Sequence, residues 1–379
     1  MERFLLDPDV DFLNHGSFGA LPALVMEEQD YWRLEQERQP VDFLVRRLPA
    51  LLATSRARVA QHLGAAPTDL AFVPNATAGV AAVLHSLDWQ PGDEILTTNH
   101  RYGAVRMALS RLERRYGVSV VEARVPFPLC SADDVISALQ ACYTDRTRLL
   151  VVDHITSPTA LIFPVQRIIA DARAAGVPVL VDGAHVPGHL DVNLSALGAD
   201  WWTGNLHKWA FAPRGSAVLW VAPRWQGVVR PAVASHGEEV SFLEAFDWTG
   251  TFDPSPWICA PAGLNAHARM GGAALMAENH QKAREGRALL AEALGVAPPH
   301  PDDPALYGAM ATVEVPVRRG AGELAAATAL QLELLRRYRI EAPIMPFEGR
   351  TWVRISAAAY NRVSQYARLG EALRDLLHE

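Results

Sequence analysis

Lysine is scarce in this chain. Of the 35 lysines and arginines among its 379 residues, only Lys208 and Lys282 are lysines. Lys282 lies in the polar stretch ENHQKAREGR, which is typical of a solvated helix face. Lys208 lies between His207 and Trp209 in the stretch GNLHKW, which is not typical of a surface lysine. Because a lysine amine can lose its proton whereas a guanidinium group cannot, this position indicates chemistry that requires a neutral amine.

Cysteine is nearly as scarce. The three cysteines, Cys130, Cys142 and Cys259, are odd in number and widely spaced. This usage favours reduced thiols over a disulfide framework or a zinc site, and we expect no bound metal. The first residues, MERFLLDPDVDFLNHGS, include early acidic residues and lack the apolar core of a signal peptide. We therefore expect a cytoplasmic protein.

Excess positive charge and long apolar runs are absent too. The formal net charge of -7 argues against a nucleic-acid partner, which requires clustered basic surface. No uncharged run reaches the roughly 18 residues of a membrane span, so we expect no membrane partner. The chain is 50% hydrophobic, which is enough for a large buried core, and its length suggests about two domains.

Short apolar runs alternate with helical patterns from about residue 50. The runs LAFVP, DEILTT, VSVVEAR, RLLVVDHI, VPVLVDGAH and GSAVLWVA predict strands. The segments between them predict helices, among them ATAGVAAVLHSL (76–87), AVRMALSRLERRYG (104–117), SADDVISALQACY with Ser131 as its N-cap, and PVQRIIADARAAG. This alternation is typical of an α/β fold with a mostly parallel sheet covered by helices on both faces.

The pattern changes after about residue 255. Residues 261–295 predict one long helical stretch, and strand-like MATVEVPV (310–317), a helix and strand-like TWVRISA follow. This order indicates a smaller α+β domain. We expect a large domain of residues 17–255 and a small domain that combines residues 1–16 with residues 256–379.

Asp182 and Lys208 have the positions that a pyridoxal 5'-phosphate (PLP) site requires. Asp182 directly follows the apolar run VPVLV, and Lys208 precedes the next predicted strand, so both can reach the same edge of the sheet. A lysine forms a Schiff base with the cofactor's aldehyde, and a carboxylate keeps its pyridine nitrogen protonated. The alternative for Lys208 is an ordinary surface lysine.

The segment FVPNATAGVAAVL offers a place for the cofactor's phosphate. The N–H groups of Ala76 and Thr77 begin a helix, where the dipole favours an anion. The alternative is ordinary N-capping by Asn75. Tyr102 follows another strand and could stack on the pyridine ring, as could His100. A partly buried tyrosine without that role is the alternative.

Seven segments in this order carry a resemblance to a known family: FLNHGSFGALP, NATAGV, DHITSPTALIFPV, VDGAHVPG, GNLHKW, GTFDPSPW and WVRISAAAYN. They resemble the class V aminotransferase family of fold-type I PLP enzymes, and most of all its isopenicillin N epimerase-like and cysteine desulfurase-like members. The resemblance covers nearly the whole chain. It implies a large domain with a mainly parallel sheet of the seven-stranded type, and a small α+β domain.

The resemblance also implies a role for each of a set of residues. Lys208 would be the Schiff-base lysine and Asp182 the partner of the pyridine nitrogen. The other cofactor-binding residues would be Ala76, Thr77, Tyr102, Ser157, His185, Asn205, His207 and, from the loop WTGTFDPSPW of a neighbouring subunit, Thr251. Arg354 would bind the substrate's α-carboxylate. Asn14, His15 and Ser17 would cover the substrate. The loop implies a homodimer with shared active sites.

Two departures from the family pattern stand out. Ala160 in SPTA replaces the glycine that related sequences usually have, so the local backbone is expected to differ slightly. Desulfurases that form a persulfide carry a nucleophilic cysteine in the C-terminal domain, but residues 260–379 contain no cysteine. Cys259, after SPWI, is typical of a buried thiol.

We therefore predict a PLP-dependent enzyme that labilises a bond at the Cα of an amino acid. Epimerisation and C–S or β-elimination are favoured, and transamination and cysteine desulfuration are the alternatives. A PLP-binding protein without activity is a remote alternative, because Lys208 and Asp182 are both present. A dehydrogenase of the Rossmann type would require G-x-G-x-x-G after the first strand, and VPNATAG does not match it.

Overall fold

Alternating strands and helices place the polar residues singled out above at one edge of a central sheet. The computed structural model describes residues 2–129, 131–317 and 323–378, so Cys130 lies outside the described residues. The strands, in chain order, are β1 (Asp11–Phe12), β2 (Leu70–Val73), β3 (Glu94–Thr98), β4 (Ser119–Ala123), β5 (Thr147–Asp153), β6 (Val179–Asp182), β7 (Trp201–Asn205), β8 (Ala217–Val221), β9 (Met310–Val315), β10 (Ile340–Glu341), β11 (Ile344–Phe347) and β12 (Arg350–Ser356).

The helices connect and cover these strands. They are α1 (His15–Phe18), α2 (Ala23–Arg38), α3 (Leu48–His62), α4 (Ala76–Ser86), α5 (Gly103–Tyr116), α6 (Ala132–Gln140), α7 (Val165–Ala174), α8 (Leu194–Leu197), α9 (Phe242–Asp247), α10 (Ser255–Ile258), α11 (Ala260–Arg269), α12 (Ala273–Leu294), α13 (Glu323–Tyr338) and α14 (Val363–His378). A π-helical segment spans Asp42–Arg47, and short 3₁₀ turns span Pro67–Asp69 and Pro223–Trp225.

The central sheet of the described chain has seven strands in the order β2-β8-β7-β6-β5-β3-β4. Only β8 runs antiparallel to its neighbours β2 and β7. The remaining pairs, β7–β6, β6–β5, β5–β3 and β3–β4, are parallel. Because β5, β6 and β7 are covered on both faces, their sequences read as nearly continuous apolar runs. The prediction of an α/β fold with a mainly parallel sheet is confirmed.

Residues along each strand alternate between two cores. Leu150 and Val152 of β5 belong to the core that includes side chains of α3, α6 and α7. Leu149 and Val151 belong to the core on the other face, with side chains of α4, α5 and α9. This alternation follows from the two-residue period of a strand. It also fixes which face of the sheet the last residue of each strand occupies.

The strand β7 was not predicted. Its sequence, WWTGN, contains two tryptophans and a glycine and was not among the apolar runs from which strands were predicted. Trp201 and Trp202 instead point into the two opposite cores. Because β7 is parallel to β6, its carboxyl end lies at the same sheet edge as that of β6. The expected return of Lys208 to that edge therefore comes from an additional strand.

The C-terminal third forms an antiparallel sheet in the order β11-β12-β9, packed against α12, α13 and α14. The N-terminal segment joins it, because β1 pairs in parallel with β10. Trp257 of α10 and Leu264 of α11 belong to the core that includes α3, α6 and α7. This packing favours a domain boundary later than residue 256, and the division into domains stays a prediction.

The prediction of one helical stretch over residues 261–295 was wrong. Two helices occupy it, α11 and α12, and they are separated at Gly271 and Gly272, whose φ angles are 122° and 57°. Both angles lie where glycine is favoured, and neither continues a right-handed helix. The prediction of Ser131 as an N-cap is confirmed, and Asp134 completes a capping box with it.

Candidate active site

A cavity of about 480 Å³ lies at the carboxyl ends of β5, β6 and β7. Eleven residues that the sequence singled out line it: Ser17, Asn75, Ala76, Thr77, Tyr102, Ser157, Asp182, His185, Asn205, His207 and Lys208. The other lining residues are Phe18, Pro74, Asp153, Ile155, Ala184, Arg214 and Gly215. The carboxyl edge of an open α/β sheet is where such folds bind ligands.

Lys208 lies in the turn between β7 and β8, and its side chain is almost fully buried. Its Nζ atom lies 3.3 Å from Nε2 of His185. Burial lowers the pKa of the Lys208 amine to about 7, and the positive charge of Arg354 adds to this effect, whereas Asp182 opposes it. The amine is therefore substantially neutral near physiological pH, which is the state that attack on an aldehyde requires.

Asp182 is the last residue of β6 and lies at the floor of the cavity. The main-chain N–H of Ala184 donates to its Oδ1 atom at 3.0 Å. Burial raises the pKa of the Asp182 carboxyl, while the Ala184 N–H and Lys208 lower it. The ammonium form of Lys208 and a cationic ring nitrogen would both stabilise a carboxylate at this place.

The structure confirms the capping role of Asn75, and phosphate binding at this helix start stays a prediction. Asn75 is the N-cap of α4 and accepts the main-chain N–H of Ala78 at 2.9 Å. The N–H of Ala76 donates to Oδ1 of Asn205 at 2.9 Å, so the end of β7 holds the start of the helix. Thr77 lines the cavity at the helix N-terminus. The Ala76 N–H is therefore engaged by the protein, and Thr77 stays the candidate of this helix start for binding a phosphate.

His207 supports this end of the cavity. Its Nδ1 lies 3.0 Å from the carbonyl oxygen of Ser216, to which it donates. Burial lowers the pKa of the His207 imidazole to about 4, with a contribution from Lys208. The ring is therefore neutral, and its Nε2 is the nitrogen left for a ligand.

The two candidates for ring stacking are separated by the structure. Tyr102 lines the cavity and is 44% exposed. His100 is fully buried outside the lining, where Nδ1 lies 2.6 Å from Oγ1 of Thr159 and Nε2 lies 3.1 Å from the carbonyl oxygen of Val125. His100 is thus engaged by the protein, and Tyr102 stays the candidate for stacking.

Arg354 lies on β12 and is buried beside the cavity. Its Nη1 donates to the carbonyl oxygen of Ser157 at 2.6 Å and to the Ser157 hydroxyl at 3.2 Å. Its Nη2 donates to Oγ of Ser17 at 3.0 Å, and Ser17 in turn donates to Oδ1 of Asn14. Within the described part of the chain no group accepts its Nε–H. Burial lowers the pKa of Arg354 to about 10, so it remains cationic at neutral pH.

His15 and Thr251 lie outside the cavity lining of the single chain. His15 is completely buried, with Nε2 lying 3.1 Å from the carbonyl oxygen of Lys208 and Nδ1 lying 2.8 Å from the Tyr360 hydroxyl. It therefore contacts the main chain of the lysine turn. Thr251 is exposed in the loop that follows α9. The proposed roles of both residues stay predictions.

Ala160 adopts a backbone conformation that glycine favours. Its φ angle is 58°, in the left-handed region that glycine favours. Its N–H donates to the carbonyl oxygen of Thr156 at 2.9 Å. An alanine in this conformation carries a steric cost of about 1–2 kcal/mol, and the expected local difference from related backbones stays a prediction.

Asp153 and Arg214 both line the cavity but were not identified from the sequence. Asp153 ends β5 just as Asp182 ends β6, so the same signal, an acidic residue directly after an apolar strand, could have identified it. Arg214 has no comparable signal, because it is one of many arginines. Its Nη2 donates to the carbonyl oxygen of Gly19 at 3.1 Å.

The residues present fit PLP. The cavity combines a buried amine with a pKa of about 7, a buried carboxylate and a capped helix N-terminus. In addition, Nδ1 of His185 is buried without a partner among the described residues. These features define the site of a PLP-dependent enzyme. Lys208 would bind its aldehyde, Asp182 would face its pyridine nitrogen, and the start of α4 would hold its phosphate.

Comparison with known proteins agrees with this class. The family model for class-V aminotransferases matches residues 23–316, and the chain belongs to this family. The cofactor is PLP, and the prediction of a PLP-dependent enzyme that labilises a bond at the Cα of an amino acid is confirmed.

In the described part of the chain, no helix has the length and apolar character that crossing a membrane requires.

The similar proteins span nearly the whole chain. Isopenicillin N epimerase of Amycolatopsis lactamdurans is 35% identical, over 99% of this chain and 97% of the relative. A probable chloroplastic L-cysteine desulfhydrase of Arabidopsis thaliana is 31% identical, over 98% of this chain and 84% of the relative. The fold matches a variant of C-DES with glycine covalently linked to its PLP cofactor, with a TM-score of 0.80, 21% identity and coverage of 97% of both chains.

Proposed function

We propose that this enzyme removes the α-proton of an amino acid with Lys208 and expels a β-substituent, with sulfur as the preferred leaving atom. The observation that carries the proposal is the state of Lys208. Its amine lies in the cavity beside His185 and has a pKa of about 7, as a general base at neutral pH requires. One base suffices for elimination, because the proton taken from Cα can be returned to the leaving sulfur.

The residues around Lys208 support binding of an α-amino acid. Arg354 is the buried cation beside the cavity, and its guanidinium is held by hydroxyl and carbonyl oxygens of Ser157 and Ser17. A substrate carboxylate would replace such neutral partners by a charge-assisted pair. When bound, the cofactor supplies an electron sink that stabilises the negative charge left at Cα. Asp182 maintains that sink by keeping the ring nitrogen protonated.

The thiols of the described chain do not favour a persulfide mechanism. Cys259 is completely buried, and burial raises the pKa of its thiol far above the usual range. Cys142 follows α6 and packs against a core. Neither lines the cavity, whereas a sulfur-accepting thiolate has to be accessible. Sulfur from a cysteine-type substrate would therefore leave as sulfide, with pyruvate and ammonia as the other products.

Epimerisation is the second candidate, and the comparison favours it in one respect. The epimerase relative is matched over 97% of its length, the desulfhydrase relative over 84%. Epimerisation requires that the α-proton return on the face opposite to the one from which it left. Tyr102, with a half-exposed phenol in the cavity lining, is the candidate donor for that face. Transamination remains a weaker alternative.

An assay of the PLP-loaded enzyme distinguishes these outcomes. L-Cysteine, L-cystine and S-alkyl cysteines are incubated in heavy water, and pyruvate, sulfide and deuterium at Cα are measured. Elimination predicts pyruvate and ammonia from each substrate, together with sulfide from L-cysteine, cysteine persulfide from L-cystine and a thiol from S-alkyl cysteines. Epimerisation predicts deuterated amino acid of both configurations. Pyruvate formation should survive serine substitution of all three cysteines. A Cys259→Ser variant that is folded but inactive would restore the persulfide mechanism.

The two lysines provide a matched pair of variants. Lys208→Arg should lower turnover by roughly 10²–10⁴-fold, the usual contribution of a general base, while Lys282→Arg should leave turnover unchanged. After borohydride reduction, peptide mapping should find the cofactor on Lys208. A label on Lys282 would contradict the assignment. The rate at which apoprotein captures PLP should rise as the pH passes through about 7, because the amine becomes neutral there.

We further propose a homodimer with shared sites. The loop at Thr251 follows Trp248, which with Leu44, Val45 and Leu48 lines a groove of about 660 Å³ on the surface. Val45 is 66% exposed in the single chain. An apolar groove next to the loop supports a contact with a second copy.

We also retain the expectation of a cytoplasmic location, which the free thiols of Cys142 and Cys259 support.

A further inference from the structure

Asp153 is a buried acidic residue of the cavity to which the proposed function assigns no role. It is the last residue of β5, and Asp182 is the last residue of β6. The two residues are direct partners in the parallel register of these strands. Asp153 is 5% exposed and Asp182 is 4% exposed, and both line the cavity.

The two side chains leave the same face of the sheet. Val151 and Leu180, two residues before each aspartate, both belong to the core that includes α4 and α5. Because side chains alternate along a strand, Asp153 and Asp182 also share that face. Neighbouring strands are about 4.8 Å apart, so two carboxyl groups at partner positions are within reach of a hydrogen bond.

Two buried carboxyl groups this close do not both ionise. The surrounding charges decide which one keeps the proton. Asp182 receives the Ala184 N–H and faces Lys208, and both favour its charged form. Burial and the charge of Asp182 across the strands raise the pKa of Asp153. Main-chain hydrogen bonds from Tyr102 and from Asp153 itself, and the charge of Arg101, lower this pKa but do not outweigh the first two effects. The Arg101 guanidinium is already paired with Glu122, so it compensates Asp153 only in part.

We propose that Asp153 is a positioning residue of the cofactor site, whose neutral carboxyl group donates a hydrogen bond to the Asp182 carboxylate. The burial and the neighbouring carboxylate raise the pKa of Asp153 well above its usual range, which is consistent with this state. Ala184 holds one oxygen of Asp182, and Asp153 holds the carboxylate from the neighbouring strand. The rotation of the carboxylate is thereby fixed toward the pyridine nitrogen, and its charge is stabilised by a strong O–H···O⁻ bond.

The substitutions Asp153→Asn and Asp153→Ala test this role through the affinity of apoprotein for PLP. Asparagine still donates a hydrogen bond and carries no charge, so its PLP dissociation constant should stay within about threefold of that of the wild type. Alanine donates nothing, so its dissociation constant should rise about tenfold or more, as expected for a lost hydrogen bond to a charged group. Asp182→Asn serves as the control that removes the acceptor charge. Circular dichroism and thermal melting establish that each variant is folded.

A titration keeps the proposal testable even if the alanine variant does not fold. The absorbance of the PLP-loaded protein is recorded between about pH 5.5 and 9, the range in which unperturbed carboxyl groups are already ionised. Curves for wild type and Asp153→Asn should superimpose, because a protonated Asp153, as proposed, contributes no change of charge. A step in the wild-type curve that asparagine abolishes would overturn the proposal. So would an asparagine variant that binds PLP as weakly as the alanine variant, or an alanine variant that binds it as well as wild type.

Discussion

At the scale of single residues, the site depends on two basic side chains, Lys208 and Arg354, that are both buried. Burial lowers the pKa of Lys208 to about 7, and Arg354 is the charge that contributes most to this shift. Arg354 itself keeps its charge, since its pKa is lowered only to about 10. The same arginine that is proposed to bind the substrate's carboxylate therefore helps to keep the catalytic amine neutral.

We expect Arg354→Ala to raise the KM for an amino-acid substrate strongly. Loss of one partner of a buried, hydrogen-bonded charge pair costs about 2–5 kcal/mol, so an increase of about 30-fold or more is expected. The measurement is steady-state kinetics with the best substrate from the assay above. Because the Arg354 charge also lowers the pKa of Lys208, the variant should capture PLP with a pH midpoint above the wild-type value.

Arg350→Ala is the matched control. Arg350 lies on the same strand, β12, but its side chain is 43% exposed and pairs with Glu314 at the surface. Exposed pairs contribute about 1 kcal/mol or less, so its KM should hardly change. Equal kinetics for Arg354→Ala and wild type would show that the substrate carboxylate binds elsewhere.

At the scale of elements, the N-terminal segment holds the lysine turn in place. His15 of α1 contacts the Lys208 carbonyl oxygen, and Arg214 donates to the carbonyl oxygen of Gly19. Gly19 has a φ of 70°, and a Cβ at this position would collide with the carbonyl oxygen of His207. Ser17 connects the same segment to Arg354. A segment of a few residues thus links the base with the proposed carboxylate site.

Substitutions at two N-cap residues distinguish the effect of a lost cap on stability from its effect on PLP binding. Asn75→Ala and Ser131→Ala each remove an N-cap, of α4 and α6 respectively, and each should lower the free energy of unfolding by about 1 kcal/mol. Of these two helices, α4 begins at the cavity and α6 does not. We therefore expect Asn75→Ala to weaken PLP binding as well, while Ser131→Ala leaves it unchanged.

Chemical denaturation and PLP titration of the apoprotein provide the two measurements. Both variants lose the same kind of hydrogen bond. A difference between their PLP affinities therefore reports the orientation of the first turn of α4. Equal PLP affinities for the two variants would argue that the start of α4 does not bind the phosphate.

At the scale of the whole molecule, a shared-site dimer has a specific signature. A Lys208→Arg protomer and a Thr251→Arg protomer are each expected to be inactive as homodimers. After unfolding and refolding together, random pairing in a C2 dimer should restore about a quarter of the wild-type activity, because a hybrid contains one intact site.

Sedimentation equilibrium is the accompanying measurement, with a dimer expected for the wild type. The activity of Lys208→Arg that is unfolded and refolded alone provides the baseline for the mixture. Activity that does not return in the mixture, together with a monomer that binds PLP tightly, would contradict the shared site and leave Thr251 without a role in it.

The sequence by itself determined the sheet edge at which the site lies and several of its residues. Parallel strands end at one edge, so the acidic residue after VPVLV and the single unusual lysine had to approach each other there. Asn75 and Ser131 were identifiable as helix starts because capping is a local interaction. The resemblance of seven ordered segments supplied Arg354, Ser157 and His185, which no local pattern marks.

Only the tertiary structure decided the contacts between residues far apart in the chain. The pairing of Asp153 with Asp182 depends on the register of β5 and β6, and the placement of His15 against Lys208 depends on how the N-terminal segment packs. Neither arrangement can be inferred from the local periodicity of the sequence. The pKa of Lys208 is also decided by the tertiary structure. Its burial and its proximity to the charge of Arg354 both depend on the packing of segments that are distant in the chain.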